Sequence, residues 1–188
     1  MNSKKTKIIT YLGLAVAINL IGCFVALFLR LPIYLDAIGT VLASVLFGPF
    51  YGSLVGLITS GVNAITFDPI SIYFIPSQIV TAVTTGYLFK NGINKGSRIY
   101  LKAIIVGLAT SLAAGTIVAL VFGGVTTSGS SIIVAILRGL NVNEYASVYV
   151  IQALTEVIDK LIGFFIVFKI IRLLKLNERF KDTLNSAS

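Results

Sequence analysis

The chain has 188 residues, of which 56% are hydrophobic and 12% are charged, and its formal net charge is +8. A mean hydropathy of +0.97 leaves too little polar surface for a water-soluble protein, so we expect an integral membrane protein. A single domain over 1–188 has room for about six spans of roughly 20 residues each.

Apolar runs separated by turn residues and basic loops predict six transmembrane helices and an all-α fold. The first run has the length of a full bilayer span and lacks a clear cleavage site, so we expect it to remain as a span and not to be removed as a signal peptide. The uncharged turn "FGPFYG" divides the second segment from the third. The six predicted segments are 8–29, 35–47, 52–66, 77–89, 103–122 and 148–168.

Three connections and two chain ends complete the predicted organisation. The string "FDPISIYFIP" (67–76) is bounded by prolines and predicts a loop or a short re-entrant piece, and "KNGINKGSRIYLK" (90–102) is a polar basic loop. The connection over 123–147 is rich in Gly and Ser near its start, which suits either a movable lid or a plain linker. A basic flank (1–7) precedes the first segment, and a basic amphipathic tail (169–188) follows the last.

Basic residues cluster in three places that six spans would bring to the same side of the membrane. The positive-inside rule makes that side cytoplasmic, so we predict a multi-pass protein of a prokaryotic plasma membrane with both termini inside. The charges then act as topological signals, and we expect no nucleic-acid partner. The three clusters consist of Lys4, Lys5 and Lys7; of Lys90, Lys95, Arg98 and Lys102; and of Lys169, Arg172, Lys175, Arg179 and Lys181.

Missing residue types exclude several kinds of catalysis. The chain contains no histidine, which removes H-E-x-x-H zinc sites and histidine-based triads. It contains no G-x-x-x-x-G-K-[ST] string, so it cannot hydrolyse ATP on a P-loop. The single Cys23 lies in an apolar run and excludes a disulfide framework. We therefore expect a protein that is not an enzyme and that holds no metal or cofactor.

The last apolar segment contains an ionisable stretch, "QALTEVIDKLIGFF". Its polar members recur at spacings of three and four, so they share one face of a helix. Polar groups at this depth usually face the interior of a bundle or a wet cavity. Glu156 and Lys160 can neutralise each other, which leaves Asp159 as a third charge beside Gln152. We prefer a cavity-lining stripe, and a self-neutralised packing element is the alternative.

The connections expected on the outer side bring Pro or Gly together with aromatic and polar residues. Loops held over a rigid bundle often carry binding residues, and aromatic walls with a few polar groups suit a small organic ligand. Each aromatic residue taken singly also fits an interfacial belt. Together with the polar stripe they predict a substrate site near the outer face. The candidate substrate-binding residues are Tyr34, Asp36, Asn63, Tyr73, Gln78, Arg138, Gln152, Glu156 and Lys160.

Small residues recur on two segments. Gly13 and Ala17 lie four residues apart on the first segment, and Gly107, Ser111 and Gly115 repeat the pattern on the fifth. Small residues at this spacing allow a second helix to approach closely. The pair on the first segment predicts either a contact with a partner protein or packing within the chain.

The six-span layout with both ends inside resembles the substrate-binding S components of energy-coupling factor (ECF) transporters. The resemblance covers nearly the whole chain, and it is closest to the pantothenate type, with the pyridoxine or hydroxymethylpyrimidine type next. The strings that carry it are "LPIYLDAIGTVLASVLFGPFYGSLVG" (31–56), the Gly13-x-x-x-Ala17 pair and "DPISIYFIP" (68–76).

The resemblance implies a function and a set of partners. S components bind a vitamin or a similar micronutrient tightly in a pocket near the outer face. They dock through small residues of the first helix onto a transmembrane coupling subunit, which two cytoplasmic ATPase subunits drive. Gly13 and Ala17 match that docking position, although the family pattern has alanine at both sites. The implied role is the substrate-binding subunit of an ATP-driven vitamin uptake transporter.

The residues leave the substrate and the class of transport open. Pantothenate is an anion, and Lys160, Arg138 or Arg30 could supply its cation. Glu156 and Asp159, when ionised, make the patch around Lys160 net negative. A pyridine or pyrimidine ring would suit the aromatic residues and an acidic partner. A stand-alone proton-coupled transporter, with these two carboxylates as proton carriers, is the alternative of another class, although no clear inverted repeat supports it.

Overall fold

The computed structural model describes residues 3–92 and 98–173. Across these residues the chain forms seven α-helices and one 3₁₀ helix, with no β-strand. The all-helical prediction is confirmed for this part of the chain. The helices are α1 (Ser3–Phe28), α2 (Ile38–Phe47), α3 (Pro49–Thr66), the 3₁₀ helix (Pro69–Phe74), α4 (Ile75–Phe89), α5 (Arg98–Val121), α6 (Ser130–Gly139) and α7 (Glu144–Leu173).

Three helical stretches within the described residues are long and apolar enough to cross a membrane. They are Lys5–Phe28, Pro69–Phe89 and Arg98–Val121. The helix α7 has 30 residues and is about 45 Å long, but charged residues interrupt its apolar character. The helix α2 has only 10 residues. The chain is a multi-pass membrane protein, while the six spans and the cytoplasmic termini stay a prediction.

The turn between α2 and α3 is shorter than the sequence predicted. Gly48 alone joins the two helices, with φ = +90°, a backbone conformation that favours glycine. The next helix begins at Pro49, three residues before the predicted start at Gly52. Proline suits this position because the first turn of a helix leaves its backbone N–H groups unpaired anyway.

The long helices extend into regions that were predicted to be loops. The helix α5 begins at Arg98, inside the predicted basic loop, of which 93–97 lies outside the described residues. The helix α7 covers Glu144–Leu173 and so includes the start of the predicted basic tail. The rest of that tail, 174–188, lies outside the described residues.

The connection over 123–147 is not a plain linker, because α6 lies within it. Ser130, Ser131 and Val134 on α6 are buried, and these positions recur at helical spacing. The helix packs against α7 and closes one side of the bundle. The Gly- and Ser-rich stretch (123–131) extends into the first turn of this helix, and its composition masks the apolar period that follows.

The helices α5 and α7 form the most extensive pair of the bundle. A Cβ placed on Gly107 would lie 2.8 Å from the Cα of Val157, and one on Gly115 would lie 2.9 Å from Tyr149 Cδ1. Ser111, between them, is buried. The small residues of α5 therefore serve packing within the chain.

The small residues of α1 lie in a different environment. Gly13 and Ala17 are exposed, and no described atom lies within 4 Å of a Cβ placed on Gly13. The opposite face of α1, with Ala15 and Asn19, is buried. The first small pair therefore does not pack against another helix of the described chain.

The two ends of the bundle differ in chemistry. At the end that we call the loop end, α1, α3 and α5 finish and α2, α4 and α7 begin. The other end holds an aromatic core in which the ring of Phe89 lies 5.7 Å from Phe164 and 5.4 Å from Phe168. By chain direction the basic residues Lys5, Lys7, Lys90, Arg98, Lys102, Lys169 and Arg172 belong to this second end.

Candidate ligand-binding site

A cavity opens at the loop end of the bundle. Its space, open solvent at the mouth included, is about 770 Å³. The walls come from α1, α3, the 3₁₀ helix, α4, α5 and α7, together with the connections 29–37 and 122–129. A concave site of this order, with mixed apolar and polar walls, is typical of small-molecule binding.

Six of the nine predicted substrate-binding residues line this cavity. The connection between α1 and α2 supplies two of them, α3 and α4 supply one each, and α7 supplies two. Residues that are far apart in the chain therefore meet at one place. The six are Tyr34, Asp36, Asn63, Gln78, Glu156 and Lys160.

The other three predicted residues lie elsewhere. Tyr73 is 52% exposed, and its ring meets Phe122 edge-on at 5.4 Å. Arg138 forms an ion pair with Glu144, which joins the end of α6 to the start of α7. Gln152 is buried but lies outside the cavity lining. The sequence indicates that these residues lie near the site, but it does not determine which way their side chains face.

Gln152 contributes to the cavity indirectly, because it binds Tyr34, a residue of the cavity wall. The Tyr34 hydroxyl donates a hydrogen bond to Gln152 Oε1 at 2.6 Å and lies 3.2 Å from Ser130 Oγ. These contacts hold the tyrosine between α6 and α7. Gln152 therefore positions a residue of the wall.

Two members of a buried ion cluster, Glu156 and Lys160, form the part of the wall that α7 contributes. Lys160 Nζ donates to Glu156 Oε2 and to Asp159 Oδ2, each at 2.8 Å. The three residues are between 3% and 4% exposed. Buried ions need close partners of this kind, because desolvation otherwise outweighs their attraction. One ammonium group between two carboxylates leaves the cluster net negative when all three are ionised.

Asp159 also holds the connection between α1 and α2. Its Oδ1 accepts hydrogen bonds from the backbone N–H of Tyr34 at 3.2 Å and of Leu35 at 2.7 Å. Leu35 has φ = +53°, which is unusual for a residue with a bulky side chain. Both oxygens of Asp159 therefore have partners, so the protein holds the third charge of this stretch in place. The position of Asp159 next to Lys160 in the sequence was the signal for their ion pair.

The cavity as a whole is acidic. Among the described residues that line it, Asp36, Asp68 and Glu156 carry carboxylates and Lys160 carries the cation. Asp68, which sequence reasoning did not select, begins the 3₁₀ helix as its N-cap residue. A concave site lined by one sign of charge attracts ligands of the other sign and disfavours ligands of the same sign.

A buried hydrogen-bond network supports the cavity from α1. Asn19 Nδ2 donates to Thr40 Oγ1 at 3.0 Å and to Thr59 Oγ1 at 3.1 Å, while its Oδ1 accepts from Gly39 N at 2.6 Å. Thr40 in turn donates to Gln78 Oε1 at 3.0 Å. Sequence reasoning missed Asn19, although an asparagine inside a long apolar run was a visible signal.

The connection 122–129 closes another side of the cavity. Thr127 donates a hydrogen bond to Asp68 Oδ2 at 3.0 Å. A Cβ placed on Gly129 would lie 2.7 Å from the carbonyl oxygen of Leu31, so the two connections touch. The predicted movement of this segment as a lid stays a prediction.

Comparison with known families adds one finding. A family model described as "ECF transporter, substrate-specific component" matches residues 7–172. The matched range includes every element that lines the cavity. No curated protein and no solved structure gives a significant match.

Proposed function

Because the chain belongs to the family of substrate-specific components of ECF transporters, we propose that it captures a small water-soluble vitamin in the cavity at its loop end. The observation that carries this proposal is the convergence of six predicted binding residues from distant parts of the chain on one cavity. Subunits of this family associate with a membrane coupling subunit and ATPases. The energy for uptake would then come from other chains, which agrees with the missing P-loop string.

The charge of the cavity bears on the choice of vitamin. Pantothenate, whose S components the sequence resembles most, carries a carboxylate. Two carboxylates already hold the Lys160 ammonium group at 2.8 Å. A further anion would therefore meet a net negative wall when Glu156 and Asp159 are both ionised. We rank a neutral or cationic ring compound, such as pyridoxine or hydroxymethylpyrimidine, above pantothenate.

Aromatic side chains support a ring-shaped ligand. Tyr34 and Phe74 both line the cavity. Phe74 is held by Phe122, whose ring stacks on it at 6.0 Å with an interplanar angle of 6°. Aromatic faces that are held in this way can stack on a heteroaromatic ring.

The outward small pair of α1 supports docking on a coupling subunit. Gly13 and Ala17 are exposed, and they leave a shallow region on the helix surface that a second helix could approach closely. The opposite face of α1 packs into the bundle that holds the cavity. One helix would thus connect the binding site with the partner.

A stand-alone proton-coupled transporter is the second candidate function. It would use Glu156 and Asp159 as proton carriers. Both oxygens of Asp159 accept hydrogen bonds within the protein, which favours a structural role for this residue. Uptake by such a transporter would persist without any ATPase.

Titration calorimetry of the purified chain alone against pantothenate, pyridoxine and hydroxymethylpyrimidine tests the proposal. We expect one tight complex of one-to-one stoichiometry, with a ring compound. Tight pantothenate binding would contradict the ranking by charge but would support the function. Silence from all three would contradict the vitamin assignment. Uptake by vesicles that contain only this chain would favour the second candidate.

A further inference from the structure

The corner where α3 ends and the 3₁₀ helix begins carries two polar side chains of the cavity wall, Asn63 and Asp68. Asn63 is 3% exposed and Asp68 is 7% exposed, and both line the cavity. The backbone N–H of Asp68 donates to the carbonyl oxygen of Asn63 at 3.0 Å, which fixes the corner. We call these two residues and Ser71 the acceptor corner.

The hydrogen bonds of the corner determine how its groups point. Asn63 Nδ2 donates to Ser71 Oγ at 2.7 Å and to Cys23 Sγ at 2.9 Å. The Ser71 hydroxyl donates its proton to Asp68 Oδ2 at 3.2 Å. Because an ionised carboxylate can only accept, Ser71 must accept from the amide nitrogen. The amide oxygen of Asn63 is thereby turned away from Ser71.

Two acceptor oxygens of this corner remain without a partner in the described structure. They are Asn63 Oδ1 and Asp68 Oδ1, and both are buried. The other oxygen of Asp68 accepts from Ser71 and from Thr127. Buried polar atoms in folded proteins nearly always have partners, so each exception calls for one. Both atoms belong to residues of the cavity wall. Each is closed to solvent, so a ligand in the cavity would supply the missing donors after a small shift of the corner.

We propose that the acceptor corner is a subsite that recognises an N–H or O–H donor of the ligand, best an amino or ammonium group. This rests on the proposed function of the cavity. The subsite would discriminate by hydrogen bonding, because a donor satisfies the two oxygens, whereas a methylated group of equal charge leaves them unpaired. Asn63 and Asp68 would then determine specificity on the wall that α3 and the 3₁₀ helix supply.

Cys23 offers a direct test, because it is the single cysteine of the chain, lines the cavity and contacts Asn63. The purified chain is treated with three methanethiosulfonates that carry an aminoethyl, a trimethylammonioethyl or a sulfonatoethyl group. In each reaction the thiolate attacks the reagent sulfur, a disulfide forms, methanesulfinate leaves and the thiol proton passes to solvent. Rates are divided by those for free cysteine, and ratios between reagents cancel the reactivity of Cys23 itself.

Comparing the ammonium reagent with the trimethylammonium reagent tests hydrogen-bond donation, because both carry the same charge and only the first has N–H groups. We expect the wild-type ratio of these two rates to exceed that of free cysteine by roughly tenfold. Asp68→Asn should bring this ratio to within about twofold of free cysteine, because the variant keeps the shape of the side chain but replaces an acceptor.

Asp36→Asn is the matched control, since it removes a carboxylate from the same cavity but not from the corner. Both variants should reduce the preference for the ammonium reagent over the sulfonate reagent, whereas only Asp68→Asn should change the ammonium to trimethylammonium ratio. An equal effect of both variants on that ratio would overturn the proposal. A wild-type ratio equal to that of free cysteine would do so as well.

The labelling ratios and the calorimetry separate the two proposals. Tight vitamin binding with no preference for the ammonium reagent would leave the cavity as the binding site and remove the subsite. A strong preference for the ammonium reagent, with no binding of any of the three vitamins, would support the subsite and contradict the vitamin assignment.

Discussion

Asp159 Oδ1 lies 2.7 Å from the backbone nitrogen of Leu35, although 124 residues separate the two in the sequence. A carboxylate of α7 therefore holds the connection between α1 and α2, which carries Tyr34 into the cavity wall. The second oxygen of the same carboxylate contacts Lys160. The loop and the ion cluster consequently depend on one side chain.

Replacing Asp159 by alanine should destabilise the protein and weaken ligand binding together. The backbone N–H groups of Tyr34 and Leu35 would lose their acceptor, and Lys160 would lose one of its two carboxylates. We expect the free energy of unfolding to fall by about 2–3 kcal/mol. Thermal unfolding in detergent, followed by calorimetry at a temperature where the variant is folded, measures both effects.

Glu144→Gln is the control for this change, because it removes a partly exposed carboxylate that pairs with Arg138. Its effect on unfolding should stay within about 1 kcal/mol. If Asp159→Ala unfolded at the wild-type temperature but no longer bound ligand, Asp159 would contact the ligand and would not hold the loop.

Glu156→Gln and Lys160→Met should separate binding from stability. The first change leaves the contact between Lys160 and Asp159 intact, so the bundle should stay folded while a cationic or donor-rich ligand binds roughly tenfold more weakly. The second leaves two buried carboxylates without their cation, so the free energy of unfolding should fall by about 3–5 kcal/mol.

Ser147→Ala serves as the control on the same helix, since the Ser147 hydroxyl donates to the backbone of Asn143 and lies outside the cavity lining. Its affinity for ligand should equal that of the wild type. Normal binding by Glu156→Gln would reduce the cluster to a neutralised packing element.

Replacing Gly13 and Ala17 by leucine should spare ligand binding and abolish uptake by the full transporter. No described atom lies within 4 Å of a Cβ on Gly13, and Ala17 is exposed, so larger side chains have room at both positions among the described residues. They would block the close approach of a partner helix. Calorimetry on the isolated variant and uptake assays with the partner subunits measure the two effects.

Gly107→Leu provides the contrast, because a Cβ at Gly107 would lie 2.8 Å from the Cα of Val157. That variant should unfold at a lower temperature than the wild type. Loss of binding in the double leucine variant of α1 would show that the pair acts on the cavity and not on a partner.

Gly129→Ala should weaken ligand binding, because the new methyl group meets the carbonyl oxygens of Arg30 and Leu31. The two connections that form the cavity mouth would separate. Gly139→Ala is its match, since no described atom lies within 4 Å of a Cβ there. Calorimetry on both variants should show a loss of affinity for the first alone. Equal affinities would show that the contact between the connections does not shape the site.

Local patterns were sufficient to predict most of the helices and one part of the site. Apolar runs predicted six segments, and each of them overlaps a helix, whereas α6 was not predicted. Glu156 and Lys160 lie one turn apart on the same helix, so their spacing alone predicts their contact. The match over 7–172 likewise agrees with the family that the sequence strings resemble.

Contacts between distant residues decided the rest. The sequence by itself determined an all-helical membrane protein with an ionisable stripe on its last helix. Only the tertiary structure showed that Asp159 holds Leu35 and that Thr127 reaches Asp68. It also separated two similar small-residue patterns, with Gly13 exposed on α1 and Gly107 packed against α7. The physical reason is that helical periodicity depends on neighbours along the chain, whereas the environment of a face depends on which helices pack together.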